Sequence, residues 1–364
     1  MTIQRVHVIG SGLIGSSLGL ALSRRGVHVT LEDISSTNAA LARDLWAGAL
    51  SEPLDTPDVV VAATPPDVTA GIVAGALDRW PSAVVTDVAS VKGSIVRALE
   101  QRGGGSGDLR RYCGSHPMAG RERSGAIAAR ADLFEGRPWV VTPTEATAAD
   151  ALATVQELAR LVGSAVTVLD PASHDAAVAA VSHVPQVVAS LAAARLRDLP
   201  EEAVGLAGQG LRDVTRIAAS DPGLWTQILA ANPRAVRDEL KAFSGDLEAV
   251  IGALGQLGDG DDAPGARGIL ATTIANGNAG HARIPGKHGA APTQYGVVRV
   301  LIPDEPGQLG RLFQDVGDTG TNIEEFIIDH GLGGQFGVGE VYVVPAAAEG
   351  LAEALQRKGW TLHA

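Results

Sequence analysis

Val8-Ile9-Gly10-Ser11-Gly12-Leu13-Ile14-Gly15 is the stretch from which the rest of the chain is read. It follows Arg5-Val6-His7-Val8-Ile9, which reads as a strand, and it opens Leu13 to Arg24, which reads as a helix. Three glycines spaced G-x-G-x-x-G between a strand and a helix form the turn on which a dinucleotide rests its pyrophosphate. Gly10 allows the tight turn, Gly12 lets the backbone approach the phosphates, and Gly15 lets the helix pack closely on the sheet. Leu13 and Ile14 open the helix, whose N-terminus favours negative charge. The next strand, Val27 to Leu31, runs into Glu32-Asp33. A carboxylate there accepts hydrogen bonds from the adenosine ribose and repels a 2′-phosphate. Ile34 to Ala42 holds no Arg or Lys, so NAD is expected over NADP, with Asp33 the first choice and Glu32 the second. Thr64, after the apolar run Val59 to Ala63, joins the cofactor set.

Outward from that turn, residues 1–168 alternate strand-like and helical runs, including Ala83 to Thr86 and Trp139 to Val141. Near-continuous apolar strands between helices predict an α/β, Rossmann-like domain with a parallel sheet covered on both faces. Residues 169–275 are helical in pattern throughout and predict an all-helical second domain for substrate and dimerisation. Ala176 to Leu196 is apolar on more than one face and reads as a buried helix. Val236, Leu240, Phe243, Leu247, Val250 and Leu254 form a heptad-like seam suited to a second subunit, so a homodimer is expected. Residues 276–296 read as a linker. Residues 297–364 show the order β-α-β-β-α-β of a small ferredoxin-like α+β domain.

Composition narrows the function classes. The 364 residues carry a formal net charge of -12. With no basic run interleaved with aromatics, nucleic acid is not an expected partner. The single cysteine, Cys113, allows no disulfide within the chain and no cysteine metal cluster, which fits a reducing cytoplasm, and no metal site is expected. The N-terminal residues run straight into a strand without the pattern of a signal segment, and no run of 18 apolar residues predicts a membrane span.

Five motifs stand in order, the glycine turn being the first: Gly10 to Leu18 (GSGLIGSSL), Asp87 to Lys92 (DVASVK), Gly114 to Gly120 (GSHPMAG), His174-Asp175 with Ser182-His183-Val184-Pro185, and Arg212 to Trp225 (RDVTRIAASDPGLW). Together they resemble the prephenate dehydrogenases of tyrosine biosynthesis, across roughly residues 5 to 255. Asp304-Glu305-Pro306-Gly307-Gln308-Leu309 and Asn322-Ile323-Glu324 separately resemble an ACT domain, a combination found in some members of that family. The resemblance implies oxidation of prephenate at its ring carbinol, loss of carbon dioxide, and 4-hydroxyphenylpyruvate as product. Its near variant takes arogenate and yields tyrosine. A second class of reading is a non-catalytic NAD-binding, amino-acid-sensing protein, against which the intact set Ser90, His116 and Arg216 argues.

Hydride departure is easier if the carbinol proton is drawn away at the same time, a task suited to a neutral imidazole. The resemblance places that role on His116, expected in a loop after a strand containing Tyr112 and Cys113. Ser90 is expected to hydrogen-bond the substrate hydroxyl and the nicotinamide side, or else to cap the helix that follows. Arg216 is expected to grip a substrate carboxylate bidentately, with Asp213 to orient it and Arg212 as the alternate anchor. Glu122 matches an acidic position of a gating ion network. Ser182, His183 and Gln186 complete the substrate set. Gln186 stands where many members have a second histidine, and it cannot carry that residue's positive charge. Asp304, Pro306, Gly307, Leu309, Asn322 and Ile323 are the expected effector residues, with tyrosine the expected effector.

Overall fold

The computed structural model describes residues 3–50, 56–102, 109–120, 125–259, 264–285, 295–330 and 336–363. The chain divides into two compact units, Met1–Leu247 and Glu248–Ala364.

The first unit opens with a five-stranded parallel sheet in the order β3-β2-β1-β4-β5. Its strands are β1 (Arg5–Ile9), β2 (His28–Glu32), β3 (Ala49–Leu50), β4 (Val59–Ala62) and β5 (Val84–Asp87). Between and after them run α1 (Leu13–Ser23), α2 (Ser36–Asp44), α3 (Pro66–Arg79) and α4 (Gly93–Gln101). All of β4 is buried, which is why its sequence is a continuous apolar run rather than an alternation. Val6, Val8, Val59 and Val61 pack with Leu18, Ala21 and Leu22 of α1 on one face. Val60, Ala62 and Val85 pack with Val73 and Leu77 of α3 and Ile95 and Leu99 of α4 on the other. The doubly wound Rossmann-like fold is as the sequence implies.

A second, three-stranded sheet follows, in the order β6-β7-β8. It comprises β6 (Gly114–Pro117), β7 (Pro138–Thr142) and, after α5 (Ala149–Leu161), β8 (Ala165–Val168). β6 runs antiparallel to β7, and β8 parallel to it. Here the structure corrects an expectation. His116 lies within β6, opposite Val140, not in a loop beyond a strand. Tyr112 and Cys113 are the crossing point between the sheets: Tyr112 bridges Val85, and the Cys113 amide donates to the Val85 carbonyl at 3.0 Å.

The helical part runs α6 (Pro171–Val178), a π-helical turn Ala179–His183, α7 (Val184–Ala194), α8 (Glu201–Val204), α9 (Gln209–Thr215), a tight turn Arg216–Ala218, α10 (Pro222–Ala231) and α11 (Pro233–Asp259). Pro185 has no amide to close the hydrogen-bond ladder, and the wider turn precedes it. The expectation of a buried helix over Ala176 to Leu196 holds only in part. Val181 and Leu191 are 70% and 61% exposed, while His174, Asp175, His183 and Gln186 are buried. The stretch Pro171–Asp198 is long and apolar enough to cross a membrane by length and composition, a point the sequence reading missed. Its polar residues turn inward instead, as a helix lining a site within protein requires. On α11 the expected seam splits: Val236 and Leu240 pack with Ala179 and Val184, Val250 is half-buried, and Phe243, Leu247 and Leu254 are exposed, as is Ile251 outside that seam.

In the second unit, α12 (Ala266–His281) runs through positions expected to begin the linker. Its backbone ladder continues across Gly277 and Gly280, as a glycine weakens a helix without ending it. Then come β9 (Gly296–Pro303), α13 (Gln308–Gly317), β10 (Glu325–His330), β11 (Phe336–Val343), α14 (Pro345–Arg357) and β12 (Thr361–Leu362). The sheet is antiparallel in the order β10-β11-β9-β12, the ferredoxin-like topology. Val298, Val300 and Ile302 alternate inward against Leu312, Val316, Leu351 and Leu355.

Candidate active site

The glycine turn has the geometry a pyrophosphate needs. Gly10 has φ +101°, and a Cβ there would lie 2.2 Å from the Ala63 carbonyl oxygen. A Cβ on Gly15 would lie 1.9 Å from the Gly10 carbonyl oxygen, so helix and loop touch backbone to backbone. Gly12, by contrast, faces open space at the start of α1. Thr64 borders the same turn, its methyl 3.2 Å from where a Gly10 Cβ would stand. Asp33 accepts from the Ser11 amide at 2.7 Å, the Ser11 hydroxyl at 2.8 Å and the Ser35 amide at 2.8 Å. It thereby ties the end of β2 to the glycine loop. Glu32 points elsewhere: Arg79 holds it at 2.8 Å, and the buried His7 lies 3.4 Å away. Of the two carboxylates, Asp33 is the one built into the cradle. These residues fit a dinucleotide.

His116 is half-buried and is gripped through one ring nitrogen. Its Nδ1 lies 2.9 Å from Nε2 of His174, and the rings meet edge to face. His174 Nδ1 in turn lies 2.9 Å from Asp175 Oδ1. Asp175 also accepts the amides of Lys92 and Gly93, each at 2.8 Å, so this carboxylate from α6 caps α4 from outside. Burial pushes the Asp175 carboxyl up, but the His174 ring and the two amides outweigh it and hold it below the usual carboxylate value. Burial, then the neighbouring His174, Lys92 and His183, push His116 well below the ordinary imidazole value, so it is neutral in ordinary buffers.

Lys92, fully buried, is neither at the surface nor free for a ligand. Its Nζ pairs with Asp87 and donates to the Ser115 carbonyl at 2.7 Å. Tyr112 donates its hydroxyl to the other Asp87 oxygen at 2.7 Å. The cluster pins the end of β5 to β6, one residue before His116. Ser90, half-buried in the segment between them, makes no hydrogen bond among the described residues and does not cap α4, since Asp175 does.

On the substrate side, Arg216 opens the tight turn after α9 and is exposed, as are Arg212 and Asp213. Asp213 accepts from Gln209 Nε2 at 2.8 Å. Gln186 is buried and donates to the Ile217 carbonyl at 2.9 Å, fastening α7 to the turn that carries Arg216. His183 is buried edge-on to Trp225, and its Nδ1 lies 3.3 Å from Asn232 Nδ2. Asn232 also donates to the Asp175 carbonyl at 2.8 Å. Burial lowers the His183 pKa to about 4. The imidazole is therefore neutral, and these contacts fix its ring between α10 and the π-helical turn. Ser182 is half-buried in the π-helical turn. Glu122 lies outside the described residues. The contact of His116 with His174 spans 58 residues, and no spacing rule finds it.

In the second unit, Gly307 has φ +91° and caps α13, with Asp304, Pro306 and Leu309 exposed around it. Asn322 and Ile323 precede β10 rather than lying in it, and Asn322 donates to Glu324 at 2.9 Å.

Two family models match the chain: the prephenate dehydrogenase nucleotide-binding domain over residues 18–168, and the prephenate dehydrogenase dimerization domain over 170–262. A probable prephenate dehydrogenase, NovF, of Streptomyces niveus is 37% identical over 97% of this chain and 98% of its own. Aquifex aeolicus prephenate dehydrogenase, solved with hydroxyphenyl propionate and NAD+, superposes with a TM-score of 0.66 at 27% identity, covering 77% of this chain and 99% of that one. Arogenate dehydrogenase of Synechocystis superposes at 0.63 and 29% identity, covering 76% and 99%.

Proposed function

The chain belongs to the prephenate dehydrogenase family, and from that premise we propose how its own residues carry out the oxidative decarboxylation of prephenate to 4-hydroxyphenylpyruvate. NAD supplies the hydride acceptor, cradled by Gly10, Gly12, Leu13, Ile14, Gly15 and Thr64, with Asp33 on the adenosine ribose. His116 accepts the proton of the ring hydroxyl as the hydride leaves the same carbon. The Ser90 hydroxyl, uncommitted to any described residue, orients that hydroxyl. The ring carboxylate then departs as carbon dioxide, its bonding pair aromatising the ring, and the phenolate oxygen takes the proton back from His116. No proton is gained or lost overall. Arg216, steadied through Gln186 and the Ile217 carbonyl, grips the side-chain carboxylate, with Arg212 as a second cation.

The observation that carries this reading is His116: a neutral imidazole held by one nitrogen, with the other unassigned to any described partner. A second reading, oxidation of arogenate to tyrosine, is favoured by Gln186, an uncharged amide where many members have histidine. Purified full-length protein assayed side by side with prephenate and arogenate, each with NAD and NADP, tests both. Turnover of prephenate with NAD is expected; NADH formation from arogenate alone would exchange the substrate.

The third part supports a regulatory proposal: tyrosine, the end product, binds at the α13 N-terminus, where Asp304, Pro306, Gly307 and Leu309 surround the first amides of the helix. Asn322 and Ile323 belong to the same proposal. The exposed stripe of α11 supports a homodimer.

A further inference from the structure

We infer that His174 and Asp175 set the tautomer of His116, leaving its Nε2 as the bare nitrogen that takes the substrate proton. The inference rests on the reading of His116 as base. Asp175 is the fixed point. Its Oδ1 receives the His174 ring and the Lys92 amide, and its Oδ2 receives the Gly93 amide. An ionised carboxylate only accepts, so the hydrogen between Asp175 and His174 sits on His174 Nδ1. A neutral imidazole has one N–H, so His174 Nε2 is bare. That nitrogen faces His116 Nδ1 at 2.9 Å. Two bare nitrogens at that distance repel, so His116 Nδ1 carries the hydrogen and donates it. One N–H is then spent, and His116 Nε2 is left with a lone pair.

The competing arrangement has His174 doubly protonated and His116 carrying Nε2–H, a donor where an acceptor is needed. The surroundings disfavour it. That arrangement adds a proton to the His116–His174 pair, whose His116 end lies beside buried Lys92 and the His183 imidazole, both of which oppose positive charge there. Asp87 is already matched by Lys92 and Tyr112. Beyond Asp175 lies a cavity of about 740 Å³ whose lining also includes Arg97, Glu100, Asp170 and Arg234, so the carboxylate end of the chain faces mixed charges. When the substrate proton reaches Nε2, the His116 cation donates more strongly to His174, and Asp175 backs that charge through one ring. The same chain then releases the proton to the phenolate oxygen. His174 and Asp175 are positioning residues: neither is required to touch the substrate.

Full-length protein labelled with ¹⁵N-histidine reads the tautomer directly in long-range nitrogen–proton spectra, with H116Q identifying the His116 signals. The expected result is Nδ1–H and a bare Nε2 on His116. In D175N, where the amide nitrogen takes the place of the oxygen facing His174, it presents a donor, the hydrogens reverse along the chain, and His116 acquires Nε2–H. Turnover then falls by about 10²-fold or more, the direction taken when a base is locked in the wrong tautomer, while KM and NAD affinity stay within about threefold. Wild-type His116 bearing Nε2–H overturns the inference, as does a D175N protein whose tautomer is reversed while turnover does not fall. The wild-type spectrum decides even if D175N does not fold. Absence of turnover with both prephenate and arogenate overturns the reading of His116 as base, and this inference with it. Turnover with the wrong tautomer overturns the inference alone.

Discussion

Nine histidines are present in the chain, and what singles out His116 is not its type but its partners. GSHPMAG marks the position through the family resemblance, yet its place inside β6 and its link to His174 emerge only when the chain is folded. Replacing His116 by Gln is expected to lower turnover by about 10²-fold or more, with NAD affinity unchanged, by steady-state kinetics and titration. Activity within threefold of wild type in a folded H116Q protein would assign the base elsewhere. Protonation also sets a stability window. His116 lies well below 6.5 and His183 near 4 in the folded chain, so the unfolded chain binds protons first as pH falls. Stability from these two residues is present above pH 6.5 and is lost as pH falls from there through their folded values. Thermal melts between pH 7 and 4 should show a falling Tm; a flat profile would mean that neither ring is held neutral. At the other end of the site, the Glu32-Asp33 pair was legible as a carboxylate signal but not as a division of labour. Arg79 occupies Glu32, and Ser11 fixes Asp33. D33S is therefore expected to narrow the gap in kcat/KM between NAD and NADP, and equal selectivity before and after the change would remove Asp33 from the ribose.

Among the elements, the strands of the parallel sheet were legible because burial on both faces leaves an apolar run that resembles nothing else so short. The stretch from α6 to α7 was misread for a physical reason. Periodicity assumes that polar residues face water, and here they face a site, so the apolar side chains Val181 and Leu191 look outward. The π-helical turn adds a second offset that no 3.6-residue template anticipates. Gln186 shows what the element does. By donating to the Ile217 carbonyl it holds the turn from which Arg216 projects. Q186L removes that donor, although Ser220 still donates to the same carbonyl at 2.6 Å. A loss of about 0.5–1.5 kcal/mol in positioning corresponds to a KM rise of about two- to tenfold, with kcat little changed. A fall in kcat with KM unaltered would place Gln186 at the chemistry instead.

At the scale of the molecule, the order of a nucleotide-binding part, a helical part and a ferredoxin-like part was legible from the change of pattern along the chain. The break near residue 276 was not, because glycines that suggested a linker lie within α12. The stripe of Phe243, Leu247, Ile251 and Leu254 on α11 is expected to be covered by a second copy. Sedimentation of L247E should shift the protein toward monomer, and an unchanged mass would assign the stripe another role. Calorimetry of the full-length protein with tyrosine, phenylalanine and tryptophan tests the effector proposal; no heat with any of them at millimolar concentration would leave the third part as a structural brace. Reciprocity requires that any effector altering prephenate affinity have its own affinity altered by prephenate. The Asp175 carboxylate, finally, belongs to the helical part but caps a helix of the nucleotide-binding part. The two are therefore poor candidates for recombination. A chimera that splices this nucleotide-binding part onto a foreign helical partner inherits two bare amides at the α4 start unless the incoming segment brings its own acid to the same spot, and crossover libraries should show survivors cut elsewhere.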